Sequence, residues 1–185
     1  MVIMHSRLAM KRHMLSSITV LSLLIMGGCS TQAGTDSAET AMTTAGAENQ
    51  IGDMLMSNQD YSVYETKFER DGKQIYGNLY LPNTSAEKYP TVIISHGYEG
   101  SHEEMAPYAE VFAAQGIAAY VFDFCGGSYS SRSDGETTEM SVLTEEADLT
   151  AVMDGLASID RIDDSMIFLM GESQGGMVSA LAAAD

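Results

Sequence analysis

The stretch "GESQG", Gly171 to Gly175, holds a serine between two glycines at the end of a short apolar run, "MIFLM" (Met166–Met170). A buried strand, a tight turn and the start of a helix thrust a hydroxyl outward at the positive end of the helix dipole. Gly171 and Gly175 suit such a turn because it draws backbones too close together for side chains. Ser173 is therefore the candidate nucleophile toward a carbonyl carbon. That attack turns the carbonyl oxygen into an anion, which needs two donors about 3 Å away. The N–H of Gln174 offers one. A second strand-end loop, "SHGYEG" (Ser95–Gly100), offers the N–H of Tyr98 as the other, with Gly97 as its motif glycine. His96 reads as a histidine that orders this loop through the backbone, with a catalytic base as the competing reading.

The elements that must position these residues alternate between strand and helix. "YSVYETKFER" and "KQIYGNLYLP" flank Asp71-Gly72 and predict a hairpin, Tyr61–Arg70 with Lys73–Pro82. "TVIIS" (Thr91–Ser95) and "IAAYVFDF" (Ile117–Phe124) are continuous apolar runs of the kind found inside a parallel sheet. Tyr108, Val111 and Phe112 predict a helix from Pro107 to Gln115, stopped by Gly116. Leu149, Val152, Met153 and Leu156 give a longer helix its apolar stripe, and a last helix is expected over 175–184. The class is α/β with right-handed crossovers.

From about Tyr61 to Asp185 the chain resembles the first part of a serine α/β hydrolase. It is most similar to the bacterial cinnamoyl/feruloyl esterase-like group and to serine aminopeptidase-like hydrolases. The residues carrying this are "SHGYEG", "GIAAYVFDFCGGSYSSRSDG", "TEEADLTAVMDGL" and "GESQGG", in order along the folded part. The resemblance implies an α/β-hydrolase fold and Ser173 as nucleophile, with Tyr98 and Gln174 as oxyanion donors. It implies hydrolysis of a small-molecule carboxylic ester through an acyl-enzyme, with no metal and no cofactor. An amide substrate, as for a peptidase, and a non-catalytic binding protein are the alternatives.

In that family the Asp or Glu and the His of the triad follow the nucleophile. The histidines here are His5, His13, His96 and His102. All precede Ser173. A base at His102 would be an unusual architecture, so the expectation is that the base lies beyond residue 185, that this is an N-terminal fragment, and that it is inactive alone. The apolar strand at 166–170 would then present a bare edge and favour aggregation.

Other polar residues carry lesser expectations. Asp123 is expected to bond backbone amides of the Gly126-Gly127 loop, and Arg132 to pair with Asp134. Glu145, Glu146 and Asp148 are read as negative charge suited to the start of a helix.

Nine Lys+Arg against 26 Asp+Glu give a formal charge of −17. No basic stripe exists to meet phosphates, which excludes nucleic acid as a partner. The few basic residues concentrate at the start. Arg7, Lys11 and Arg12 precede an apolar run, Leu15–Met26, followed by Gly27, Gly28 and Cys29. This predicts a signal peptide over 1–28. Cys29 after two glycines resembles a bacterial lipobox, which implies lipidation at Cys29 and an extracytoplasmic, membrane-anchored protein, with plain secretion as the alternative. Residues 29–57 predict a flexible polar tether, and 58–185 a partial α/β-hydrolase domain.

Overall fold

A computed structural model describes residues 2–5 and 51–184. Most of the leader, the lipobox and most of the tether, Cys29 included, lie outside the described residues. The chain order is β1 (Val2–His5), β2 (Met54–Ser57), β3 (Tyr61–Arg70), β4 (Lys73–Pro82), β5 (Tyr89–Ser95), α1 (His102–Ala114), β6 (Ala118–Phe122), α2 (Val142–Ala157), β7 (Ile162–Gly171) and α3 (Gln174–Ala182). These strands form one sheet in the order β1-β7-β5-β6-β4-β3-β2. β5 runs parallel to both β6 and β7, and the flanking pairs are antiparallel.

The β3–β4 hairpin pairs in register from Tyr61↔Pro82 to Arg70↔Lys73. Its turn works because Asp71 and Gly72 both take positive φ, 51° and 78°, the backbone that matches the twist of the strands. The central strands are apolar on both sides because helices cover both faces. Ile93, Tyr120, Phe122, Ile167 and Leu169 pack with Leu149, Val152 and Leu156 of α2 and Val178 of α3. The alternate residues Val92, Ile94, Ala119, Val121 and Met170 pack with Met105, Ala109 and Ala113 of α1. Successive side chains thus serve opposite cores.

The structure departs from the sequence expectations at element starts. α1 begins at His102, and Pro107 lies inside it. No side chain caps it locally at Ser101. Instead the Asp123 carboxylate, at the end of β6, accepts the His102 N–H at 2.7 Å. That tertiary cap lets the helix start a turn and more before the proline. β2, within the stretch read as tether, adds to the edge of β3. All four of its residues are exposed, so no alternation marks it. β7 starts at Ile162, with Asp163 and Asp164 inside the strand.

The outer edge of β7, expected to be bare, pairs antiparallel with β1 from Val2↔Gly171 to His5↔Phe168. The sequence pattern assigns residues 2–5 to the leader, outside the fold. An apolar edge with unmet N–H and C=O groups takes up an extended segment of the same chain.

Candidate active site

The C-terminal ends of β5, β6 and β7 carry the candidate residues. β7 stops at Gly171 and α3 starts at Gln174, so Glu172 and Ser173 turn the chain alone. Ser173 is exposed and sits at φ 50°, ψ −116°, a conformation that costs a non-glycine residue of order 1–3 kcal/mol. Its neighbours hold it there. A Cβ on Gly171 would lie 2.3 Å from the carbonyl group of Gly175. One on Gly175 would lie 2.3 Å from the His96 carbonyl oxygen and 2.6 Å from that of Ser95. The Glu172 N–H donates to the Ser95 carbonyl at 3.1 Å, stitching the turn to the end of β5.

The loop after β5 closes over this turn. A Cβ on Gly97 would stand 3.4 Å from the Ser173 Cβ, so the serine faces that glycine. The Gly100 N–H donates to the Gly97 carbonyl at 3.0 Å, with Glu99 in the left-handed region at φ 56°. Tyr98, between them, is 62 % exposed, and its N–H takes no part in that closing bond. The structure therefore brings Ser173, Gly97, Gly171, Gln174 and Gly175 together, with Tyr98 in the adjoining turn.

His96 is 1 % exposed. Its Nδ1 lies 2.7 Å from the Gly97 carbonyl, and its Nε2 accepts the Phe124 N–H at 3.2 Å. Both ring nitrogens are committed to backbone, as the loop-ordering reading expected, with the proton on Nδ1. Burial pulls its pKa below the ordinary histidine value and keeps the ring neutral.

His102 faces elsewhere too. Its Nδ1 lies 2.9 Å from Asp123 Oδ1, which also accepts its N–H. Asp123 Oδ2 accepts the Arg132 N–H at 2.8 Å. These amides, not those of Gly126-Gly127, are the partners of Asp123. Burial pushes the Asp123 carboxyl upward, but the hydrogen bonds from His102 and Arg132 outweigh it and hold its pKa below the usual carboxylate range. Arg132 does not pair with Asp134. Its guanidinium stacks 3.7 Å over the Tyr76 ring and reaches Glu65 at 3.4 Å, while Asp134 accepts the Gln74 N–H at 2.8 Å. Among the described residues, neither His96 nor His102 is hydrogen-bonded to Ser173.

Two acidic residues of α2 are buried, against expectation. Asp148 Oδ1 takes the Arg70 Nε at 2.5 Å and its Oδ2 the Cys125 N–H at 2.8 Å. Burial and that carboxylate push the free Cys125 thiol up to about 12, so it is no nucleophile at neutral pH. Glu145 Oε2 accepts Gln174 Nε2 at 2.6 Å. The signal for both was present: Glu145 and Asp148 precede Leu149, Val152 and Leu156 at spacings that set them on the same helix face. Among the described residues no group of His, Cys, Asp and Glu is arranged to hold a metal ion.

Residues 86–185 match the family described as "Serine aminopeptidase, S33". The quorum-quenching protein AidA of Acinetobacter baumannii (strain MDR-ZJ06) is 28 % identical over 133 residues, which are 70 % of this chain and 42 % of AidA. Among solved structures, Est1E from Butyrivibrio proteoclasticus with bound ferulic acid superposes with a TM-score of 0.59 at 30 % identity, over 64 % of this chain and 47 % of Est1E. An acetyl xylan esterase from Paenibacillus sp. R4 shares the fold, with a TM-score of 0.57 at 23 % identity over 71 % of this chain and 48 % of the esterase. The chain thus spans less than half the length of each of these proteins.

Proposed function

Since the chain belongs to the S33 serine aminopeptidase family of α/β hydrolases, we propose that it is the nucleophile-bearing part of a serine hydrolase that cleaves small carboxylic esters through an acyl-enzyme. One observation carries this reading: an exposed serine held at φ 50° on a turn whose glycines tolerate no Cβ, against Gly97.

The chemistry follows from that placement. The Ser173 oxygen attacks the ester carbonyl carbon as its proton leaves to a base. The carbonyl oxygen becomes an anion and is met by the N–H groups of Gln174 and Tyr98. Gln174 opens α3, so its N–H has no partner within the helix and adds the dipole's positive end. Collapse expels the alcohol and leaves the acyl group on Ser173, and water then releases it as the acid. The base belongs outside residues 51–184, because both imidazoles within them serve other groups.

Est1E binds ferulic acid, which favours an ester of a small aromatic or short-chain acid as substrate. The family's aminopeptidase description favours an amide as the second reading. A leader over residues 1–28, a lipid on Cys29 and an extracytoplasmic membrane location complete the proposal, on the sequence pattern given above.

A p-nitrophenyl ester tests the first step, since its leaving group needs no proton and hydroxide at alkaline pH takes the one that Ser173 gives up. Incubation at mildly alkaline pH should place one acyl group on the peptide containing Ser173, read by mass spectrometry, and Ser173→Ala should remove it. Acylation elsewhere, or undiminished acylation in Ser173→Ala, would refute the reading.

A further inference from the structure

Gln174 presents two groups with different jobs. Its backbone N–H points out of the first turn of α3, and its side chain points back into the protein. Ser173 stands at the N-cap position of that helix but makes no side-chain capping bond, so the turn that bears the reactive hydroxyl lacks the usual local anchor. Besides the Glu172–Ser95 backbone bond, a side-chain anchor comes from another helix. Glu145, in the first turn of α2, is 2 % exposed, and its Oε2 accepts from Gln174 Nε2 at 2.6 Å. A carboxylate can only accept, so it fixes which end of the Gln174 amide faces it. The same nitrogen lies 3.6 Å from the Met140 sulfur, just before the N-cap of α2.

We propose that Glu145 is a positioning residue for Ser173 chemistry: by holding the Gln174 side chain, it fixes the backbone N–H of Gln174 where the oxyanion forms. This rests on the reading of Ser173 as nucleophile given above. The hydrogen bond, not the charge, is the working part, because a second anion near the reacting oxygen opposes the one that forms there. Removing an oxyanion donor outright costs about 100- to 1,000-fold. Loosening one that remains present costs less, about tenfold.

The test uses the full chain with the p-nitrophenyl ester above. Glu145→Ala should slow acylation of Ser173 about tenfold at saturating ester, with half-saturation within about twofold of the parent. Glu145→Gln keeps an acceptor oxygen of the same reach and should stay within about threefold of the parent rate. Gln174→Ala should match Glu145→Ala, and the double variant should be no slower than either, since both break one link. Amide hydrogen exchange of the 171–178 segment should speed up in Glu145→Ala and not in Glu145→Gln. Parent-like acylation by folded Glu145→Ala, equal slowing by both Glu145 variants, or multiplicative loss in the double variant would overturn the proposal. If the parent itself is not acylated at Ser173, the nucleophile reading fails. Exchange then decides the anchor: unchanged protection of 171–178 in folded Glu145→Ala overturns it.

Discussion

Asp123→Ala should be among the most damaging substitutions in this chain that leave the serine turn untouched. The carboxylate is fully buried and receives three hydrogen bonds, from the His102 N–H at 2.7 Å, His102 Nδ1 at 2.9 Å and the Arg132 N–H at 2.8 Å. Alanine strands those donors, and a buried donor left without an acceptor costs about 1–3 kcal/mol. With partial relaxation the three together come to about 3–5 kcal/mol, or a fall in melting temperature of about 10–15 °C for a domain of this size. Asn fares only somewhat better, because one carboxylate oxygen becomes an NH2 facing a donor. The pH dependence has a definite sign. The folded carboxyl titrates below its unfolded value, so its contribution is complete above the unfolded carboxylate range and is lost as pH falls through the depressed folded pKa. Urea unfolding at pH 7 and on a descending pH series measures both effects. A cost under about 1 kcal/mol for Asp123→Ala at pH 7, or an acid limb identical in the parent and Asp123→Asn, would show that this carboxylate does not clamp the start of α1.

Three further outcomes are expected. Gly175→Ala places a methyl 2.3 Å from the His96 carbonyl oxygen, and backbone cannot swing aside as a side chain does. It should lower Ser173 acylation by about two orders of magnitude along with the melting temperature, and parent-like acylation would contradict the tight junction. Cys125, with its pKa raised to about 12, should resist iodoacetamide at pH 8 in the folded chain and react at once in denaturant; equal labelling in both states would refute its burial. Cys29→Ala should release the protein from bacterial membranes and abolish palmitate incorporation, and unchanged membrane retention would refute lipidation at that residue.

Where local sequence decides conformation, the fold was legible. The Asp71-Gly72 hairpin, the apolar cores of β5 and β6, and the Gly171–Gly175 turn were each marked by residues within a few positions. Where distant residues decide it, the reading fell short. The start of α1 depends on a carboxylate 21 positions away, so Pro107 looked like the first residue of the helix. β2 is exposed at all four residues and β7 carries two aspartates directly after Ile162, so neither strand start showed the alternation of a half-buried strand. Glu145 and Asp148 read as charge suited to a helix start although they lie on the apolar stripe of α2. Their register was visible, but their partners, Gln174 from the serine turn and Arg70 from β3, meet them only once α2 packs down.

His96 joins the loop that follows β5 to the backbone that leaves β6, accepting from one strand end and donating to the other. Only an uncharged ring can play both parts, because an imidazolium has no lone pair for the Phe124 amide. Its burial in effect buffers the joint: mild acidification, which charges histidines in open solvent, is resisted by a ring whose pKa burial has lowered, and the splice between the two strand ends persists to more acid pH than an exposed histidine would allow.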